Sequence, residues 1–305
     1  MVSALGESSR SHEILDWLLE PSNPSVRYLA LTRILRRPEG DPQVVASREC
    51  IPQADPARAI LSAQYPQGYW MRPGIGHSPR YRATLWQILF LAQLGVGRNQ
   101  AVDRVVEHLF AYNQREDGAF RAGKAQDGTP TGLHASLLWA LEMLGCGSRR
   151  EVGRAWSWLA QRVEKQGFRD ASGGMGPLYG AVKVLGAVNA VPGDRREGVV
   201  EKLRAAAVAA LLARPPDAVR GNPLLDQLTF PLAEGVDVLQ WLAVLVEAGC
   251  GADPALEWAR SWVTRKKLRD GRWPLERVPG KLWAGFGEIG CPNKWVTIRA
   301  LQAGC

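Results

Sequence analysis

Tyr81-Arg82-Ala83-Thr84-Leu85-Trp86-Gln87-Ile88-Leu89-Phe90-Leu91-Ala92-Gln93-Leu94-Gly95 decides the fold. Its apolar residues recur at helical spacing, and it closes on Leu-Gly, where a glycine can take the positive φ that ends a helix. A second helix follows and runs into Asn113-Gln114-Arg115-Glu116-Asp117-Gly118-Ala119-Phe120, a turn whose aromatic folds back. The two helices read as a hairpin.

The hairpin returns at a regular distance. Leu-Gly recurs at Leu144-Gly145, and a degenerate Ala248-Gly249 stands further on. The turn motif recurs as Gln67-Gly68-Tyr69-Trp70, Gln166-Gly167-Phe168 and Asp270-Gly271-Arg272-Trp273. Its aromatics fall at 70, 120, 168 and 273, which are spacings of 50, 48 and 105, the last close to two periods. A hairpin cannot bury its apolar face alone, so such an array predicts stacked repeats of roughly 50 residues. The expected fold is all-α, with about five or six hairpins and one shared core.

Upstream, Asn23-Pro24-Ser25-Val26-Arg27-Tyr28-Leu29-Ala30-Leu31-Thr32-Arg33-Ile34-Leu35 opens on a cap signal and continues at helical spacing. Residues 1 to 11 read as loose, and a short helix is expected from His12 to Leu19. This opening has the look of a HEAT-type repeat, so residues 1–56 are expected to form a helical extension packed on the repeat domain of residues 57–305.

Bulk properties exclude several classes. Of the 305 residues 46% are hydrophobic, enough for a large core. No run of about 18 apolar residues occurs, so no stable membrane insertion is expected, and a cytoplasmic location is the default. Five cysteines, at 50, 146, 250, 291 and 305, show no Cys-x-x-Cys pair and read as reduced thiols. The net charge of +8 comes from short basic runs at helix ends, without a nucleic-acid motif, so no nucleic-acid partner is expected.

The hairpin period, the Gln/Asp-Gly-x-aromatic turns and the closing Lys294-Trp295-Val296-Thr297-Ile298-Arg299-Ala300-Leu301 resemble the terpenoid-cyclase and protein-prenyltransferase superfamily, the α/α toroids. The likeness covers about residues 57–305 and is closest to short bacterial squalene-cyclase-like proteins. It implies two concentric rings of helices with a pocket among the amino ends of the inner ones, which would begin near Arg80, Thr131, Gly176, Phe230 and Pro292. The signatures of that family's chemistry are absent: there is no Asp-x-Asp, no Asp-x-Cys and no adjacent Asp pair. Neither a metal nor a cofactor is expected.

Position by position, the resemblance places Tyr81, Arg82, Thr84, His134, Ser136, Met175, Tyr179, Lys183, Glu234, Asp237, Trp283, Phe286, Glu288, Lys294 and Trp295 around the pocket. Asp237, between Val236 and Val238, is the candidate acid, with His134 as its relay and Glu234 as a second carboxylate. Tyr179, Trp283, Phe286 and Trp295 would form aromatic walls, and Lys183, Arg82, Lys294 and Arg299 would grip an anionic group. The bland alternatives are a cap carboxylate held by a cation at Asp237, a core histidine at 134, and structural bridges from the cations to Glu234, Asp237 and Glu288.

The function expected from this is acid-promoted cyclisation or isomerisation of an isoprenoid or similarly apolar substrate. The alternative is a non-catalytic toroid that binds a lipid or a peptide. A HEAT-like scaffold for nucleic acid or protein ranks third.

Overall fold

The protein is described as a computed structural model covering residues 2–123, 130–169, 176–213 and 224–305. Met175 lies outside the described residues. Thirteen α-helices carry the chain among those residues, and extended backbone pairs only as isolated bridges. The expectation of an all-α protein is met.

The helices, in order, are α1 (Val2–Leu18), α2 (Pro24–Leu29, continued by a π turn at Ala30–Ile34), α3 (Pro42–Cys50) and α4 (Ala57–Ser62). Next come α5 (Thr84–Gln93), α6 (Gln100–Tyr112), α7 (Thr131–Met143), α8 (Arg150–Gln166) and α9 (Gly176–Ala190). The last are α10 (Val199–Leu212), α11 (Val238–Leu245, continued by a π turn at Val246–Cys250), α12 (Glu257–Arg265) and α13 (Lys294–Gln302). The chain start departs from expectation, because α1 begins at Val2 rather than His12.

Two helix types alternate, and side-chain chemistry separates them. In α5 every residue from Thr84 to Ala92 is buried, and α7, α9, α11 and α13 are buried on nearly all faces. By contrast α6 buries Val102, Val105, Val106, His108 and Leu109, and α8 buries Val152, Ala155, Trp156 and Leu159. Helices apolar all round belong inside a structure, and helices with one stripe cover it. Neighbour relations agree. α5 packs on α7, α7 on α9, α9 on α11, α11 on α13, and α13 on α2 and its π turn. Each striped helix packs on the buried helix before it, α6 on α5, α8 on α7, α10 on α9 and α12 on α11.

The turns repeat atom by atom. Tyr65 N–H bonds Tyr69 O, Arg115 N–H bonds Ala119 O, and Leu268 N–H bonds Arg272 O. At the tip of each, Gly68, Gly118 and Gly271 have positive φ. A Cβ on Gly118 would collide with the Arg154 carbonyl, and one on Gly68 with the Arg104 carbonyl, so both glycines let a turn touch the next striped helix. Trp70 and Trp273 bury their indoles and donate to Ile60 O at 2.7 Å and Val263 O at 2.8 Å. Their backbone N–H groups donate to Thr84 Oγ1 and Thr297 Oγ1, both at 3.1 Å. Each turn is therefore tied backwards to one helix and forwards to the next.

Two helix starts lie later than expected. α5 begins at Thr84 and α11 at Val238, rather than near Arg80 and Phe230. For α11 the reason is Asp237, whose carboxylate caps the helix by accepting from Gln240 N at 2.6 Å.

Candidate functional site

A cavity of about 290 Å³ lies between the buried helices, and every one of them contributes to its wall. Each contributes one stripe: Leu29 on α2, with Arg33 and Arg36 beyond it; Leu89 and Gln93 on α5; Ser136 and Trp139 on α7. Lys183 and Gly186 come from α9, Gln240 and Glu247 from the α11 stretch, and Trp295, Ile298, Arg299 and Gln302 from α13.

A short loop closes one end. Phe230, Leu232 and Ala233, just before α11, complete the lining there. Gln93 holds the loop by two bonds, donating to Leu232 O at 2.7 Å and accepting from Leu232 N at 2.6 Å. Behind it Phe230 stacks on Trp295 at 5.1 Å, and Phe286 packs edge-on against both. The lining residues exposed to solvent, Arg36 and Glu247, are at the opposite end, where α2 and α11 finish. The cavity thus reaches solvent at the carboxyl ends of the helices. This cavity is walled at the other end by the loop through Phe230, whereas the expected pocket opened among the amino ends of the helices.

The charge of the lining is uneven. Lys183, Arg33, Arg36 and Arg299 line it, against Glu247 as its one carboxylate among the described residues. Arg299 is occupied, since it grips Asp237 through two bonds of 2.7 and 3.2 Å and also donates to Thr229 O. Lys183 is buried and forms no ion pair among the described residues; its Nζ donates to Gln240 Oε1 at 3.1 Å and Ala233 O at 3.4 Å. Burial pushes its pKa down to about 7, with Asp237 opposing that shift and Arg299 adding to it. Arg36 holds φ of 54°, the left-handed region that glycine occupies at the ends of α5 and α7.

Only part of the expected site is here. Ser136, Lys183 and Trp295 line the cavity. Asp237 is a fully buried cap and ion-pair partner that also accepts from Thr229 N at 3.0 Å. His134 is elsewhere: Phe120 N donates to its Nδ1 at 3.3 Å, its Nε2 faces Ala155 O at 3.0 Å, and its ring packs on Trp158. Those partners make it a neutral Nε2–H tautomer, and burial lowers its pKa to about 4. No hydrogen bond joins it to Asp237, so the expected acid and relay are not a pair. Both residues follow their bland alternatives.

Four expected residues gather outside the cavity. Arg82 lies over the Trp283 ring at 3.8 Å, and Trp283 donates to Arg82 O. Glu234 pairs with Arg80 at 2.9 Å and faces His77 at 3.6 Å, while Tyr81 packs edge-on to Trp86. Lys294 pairs with Glu20 and sits by Trp17, so it belongs to the contact with α1. Glu288 is exposed, Phe286 is buried behind the cavity wall, and Tyr179 lies beneath Lys183 at 5.6 Å. Of the four cations expected to form one anion grip, Lys183 and Arg299 line the cavity, whereas Arg82 and Lys294 are held in separate contacts.

Sequence reasoning missed Arg33, Arg36, Gln93, Gln240 and Gln302. Gln93, Gln240 and Gln302 carried a signal as polar residues on the buried helices, farther toward the carboxyl end than Thr84, Asp237 and Trp295. Among the described residues no three His, Cys, Asp or Glu side chains converge as metal ligands. No helix among them is long and apolar enough to cross a membrane. No family model matches the sequence, and no curated protein matches it either.

Proposed function

We propose that the buried helices close into a ring, an α/α toroid, and that its central cavity binds a small amphipathic anion. The ring rests on the succession of contacts from α5 to α13 and back to α2. Ser25 joins its two ends, donating to Leu94 O at 2.8 Å and accepting from Trp295 Nε1 at 3.4 Å. In this reading α2 is an inner helix, and residues 1–56 are part of the ring.

One observation carries the ligand class: an apolar and aromatic cavity whose solvent end holds Arg33 and Arg36, neither of which is hydrogen-bonded or ion-paired among the described residues. Its volume stands near the lower end of the roughly 300–1,000 Å³ of ligand pockets. Leu89, Trp139, Phe230 and Ile298 suit an isoprenoid or acyl body, and the two guanidinium groups suit a carboxylate or diphosphate head. The acid-promoted step is left out, because Asp237 is committed to Arg299 and to two backbone amides. Binding without that chemistry is the reading the geometry favours.

The test is thermal stability against farnesyl diphosphate, palmitate, squalene and duplex DNA. At a hundred times its dissociation constant a ligand adds about 2.7 kcal/mol. The anionic amphiphiles should raise the melting point, and DNA should not. A shift by DNA alone would revive the scaffold reading and end this one.

A further inference from the structure

Lys183 is the most buried charged residue lining the cavity, and the partners of its amine are unusual for a lysine. An ammonium has three N–H groups, whereas a neutral amine has two and a lone pair. Among the described residues Nζ meets two acceptors, Gln240 Oε1 at 3.1 Å and Ala233 O at 3.4 Å. Asp237, the carboxylate acting most on it, is already bonded by Arg299. The Tyr179 ring covers another side. Two acceptors satisfy a neutral amine and leave its lone pair for the cavity that the residue lines.

We propose that Lys183 is a covalent attachment point, whose amine forms an imine with an apolar aldehyde or ketone held in the cavity. This rests on the ligand-binding reading above and gives the ligand a reactive group. The nitrogen lone pair attacks the carbonyl carbon, and the C=O π electrons move onto oxygen. A proton passes from nitrogen to that oxygen to give a carbinolamine. Nitrogen then expels the hydroxyl as water while C=N forms, so one amine and one carbonyl yield one imine and one water. No oxidant or reductant is needed. The water leaves toward the end lined by Arg36 and Glu247, and Gln240 Oε1 is placed to accept an N–H of the iminium form.

The lowered basicity of the amine supports the geometry. With its pKa lowered by burial to about 7, Lys183 carries a substantial neutral fraction at pH 7. An ordinary lysine is neutral in only about one molecule in 2,500 there. Desolvation in an apolar pocket is a known way to make lysine nucleophilic. The charged groups around it are Asp237 and Arg299 at the floor and Arg33, Arg36 and Glu247 toward solvent.

The experiment incubates the full chain with decanal and cyanoborohydride at pH 7, followed by peptide mass mapping. Lys183 should be alkylated at least about tenfold faster than exposed Lys165 and Lys202, with a rate that rises through pH 7 rather than pH 10. A Lys183→Met variant that melts cooperatively should lose this fast labelling. Labelling of Lys183 no faster than of the exposed lysines would overturn the proposal. Farnesyl diphosphate binding is measured in parallel. If it binds while Lys183 stays unlabelled, the covalent proposal falls and the binding function stands. If Lys183 is labelled and farnesyl diphosphate does not bind, the imine site and the apolar cavity stand and the anionic head of the ligand falls.

Discussion

Asp237 shows how one residue type admits two readings. A carboxylate flanked by valines in an apolar helix suggests an acid with a raised pKa, but its position just before Val238 is also that of a cap. The structure gives it Gln240 N, Thr229 N and the Arg299 guanidinium, so every lone pair has work in the fold. Asp237→Ala should cost about 3–5 kcal/mol, because Arg299 is left buried and unpaired. Combining it with Arg299→Met should recover most of that loss, as read from urea midpoints. His134 stands fourteen residues after Phe120, as Thr84 does after Trp70, and like Thr84 it accepts the turn's backbone N–H. Its folded pKa, near 4, is below its unfolded value of 6.5. Between those values the unfolded chain binds the extra proton, so stability falls as the pH drops from 6.5 to 4. The fall attributable to this residue is about 3 kcal/mol. His134→Thr should flatten that part of the pH profile; an unchanged slope would show that His134 does not titrate as assigned.

At the scale of elements the sequence was most legible where local chemistry repeats. The Gly and aromatic positions of the turns could be read because each answers a steric demand: positive φ at Gly118, and an indole long enough to reach Ile60 O or Val263 O. The ends of α5 and α7 were readable for the same reason, through Gly95 and Gly145. The end of α2 was hidden, because Arg36 holds the left-handed position there and no Leu-Gly marks it. That substitution made α2 look unrelated to the other buried helices. It also carries a test in which stability and binding move apart. Arg36→Gly should stabilise the protein by about 1 kcal/mol through relief of backbone strain. It should weaken binding of an amphipathic anion. Loss of stability with unchanged affinity would place Arg36 in the fold and not in the site.

For the whole molecule, the chain's two ends meet. Glu20 and Trp17 hold Lys294, Arg272 lies over Trp17, and Ser25 bridges Trp295 to Leu94. The Lys294–Glu20 and Trp295–Ser25 contacts span 274 and 270 residues and have no local signature, which is why the opening segment reads as a separate HEAT-like unit in sequence. The same limit hid the site. Which stripe of an all-buried helix faces the cavity depends on contacts between helices distant in sequence, and the loop through Phe230 lines one end of it. The central claim, an apolar cavity with a cationic solvent end, is tested most directly by measuring the dissociation constants of farnesyl diphosphate and farnesol from tryptophan fluorescence. Their apolar bodies are the same. The account predicts that the diphosphate binds at least about tenfold tighter, a difference of about 1.4 kcal/mol, and that Arg33→Gln with Arg36→Gly abolishes the preference. Equal affinities, or a preference that survives both substitutions, would contradict it.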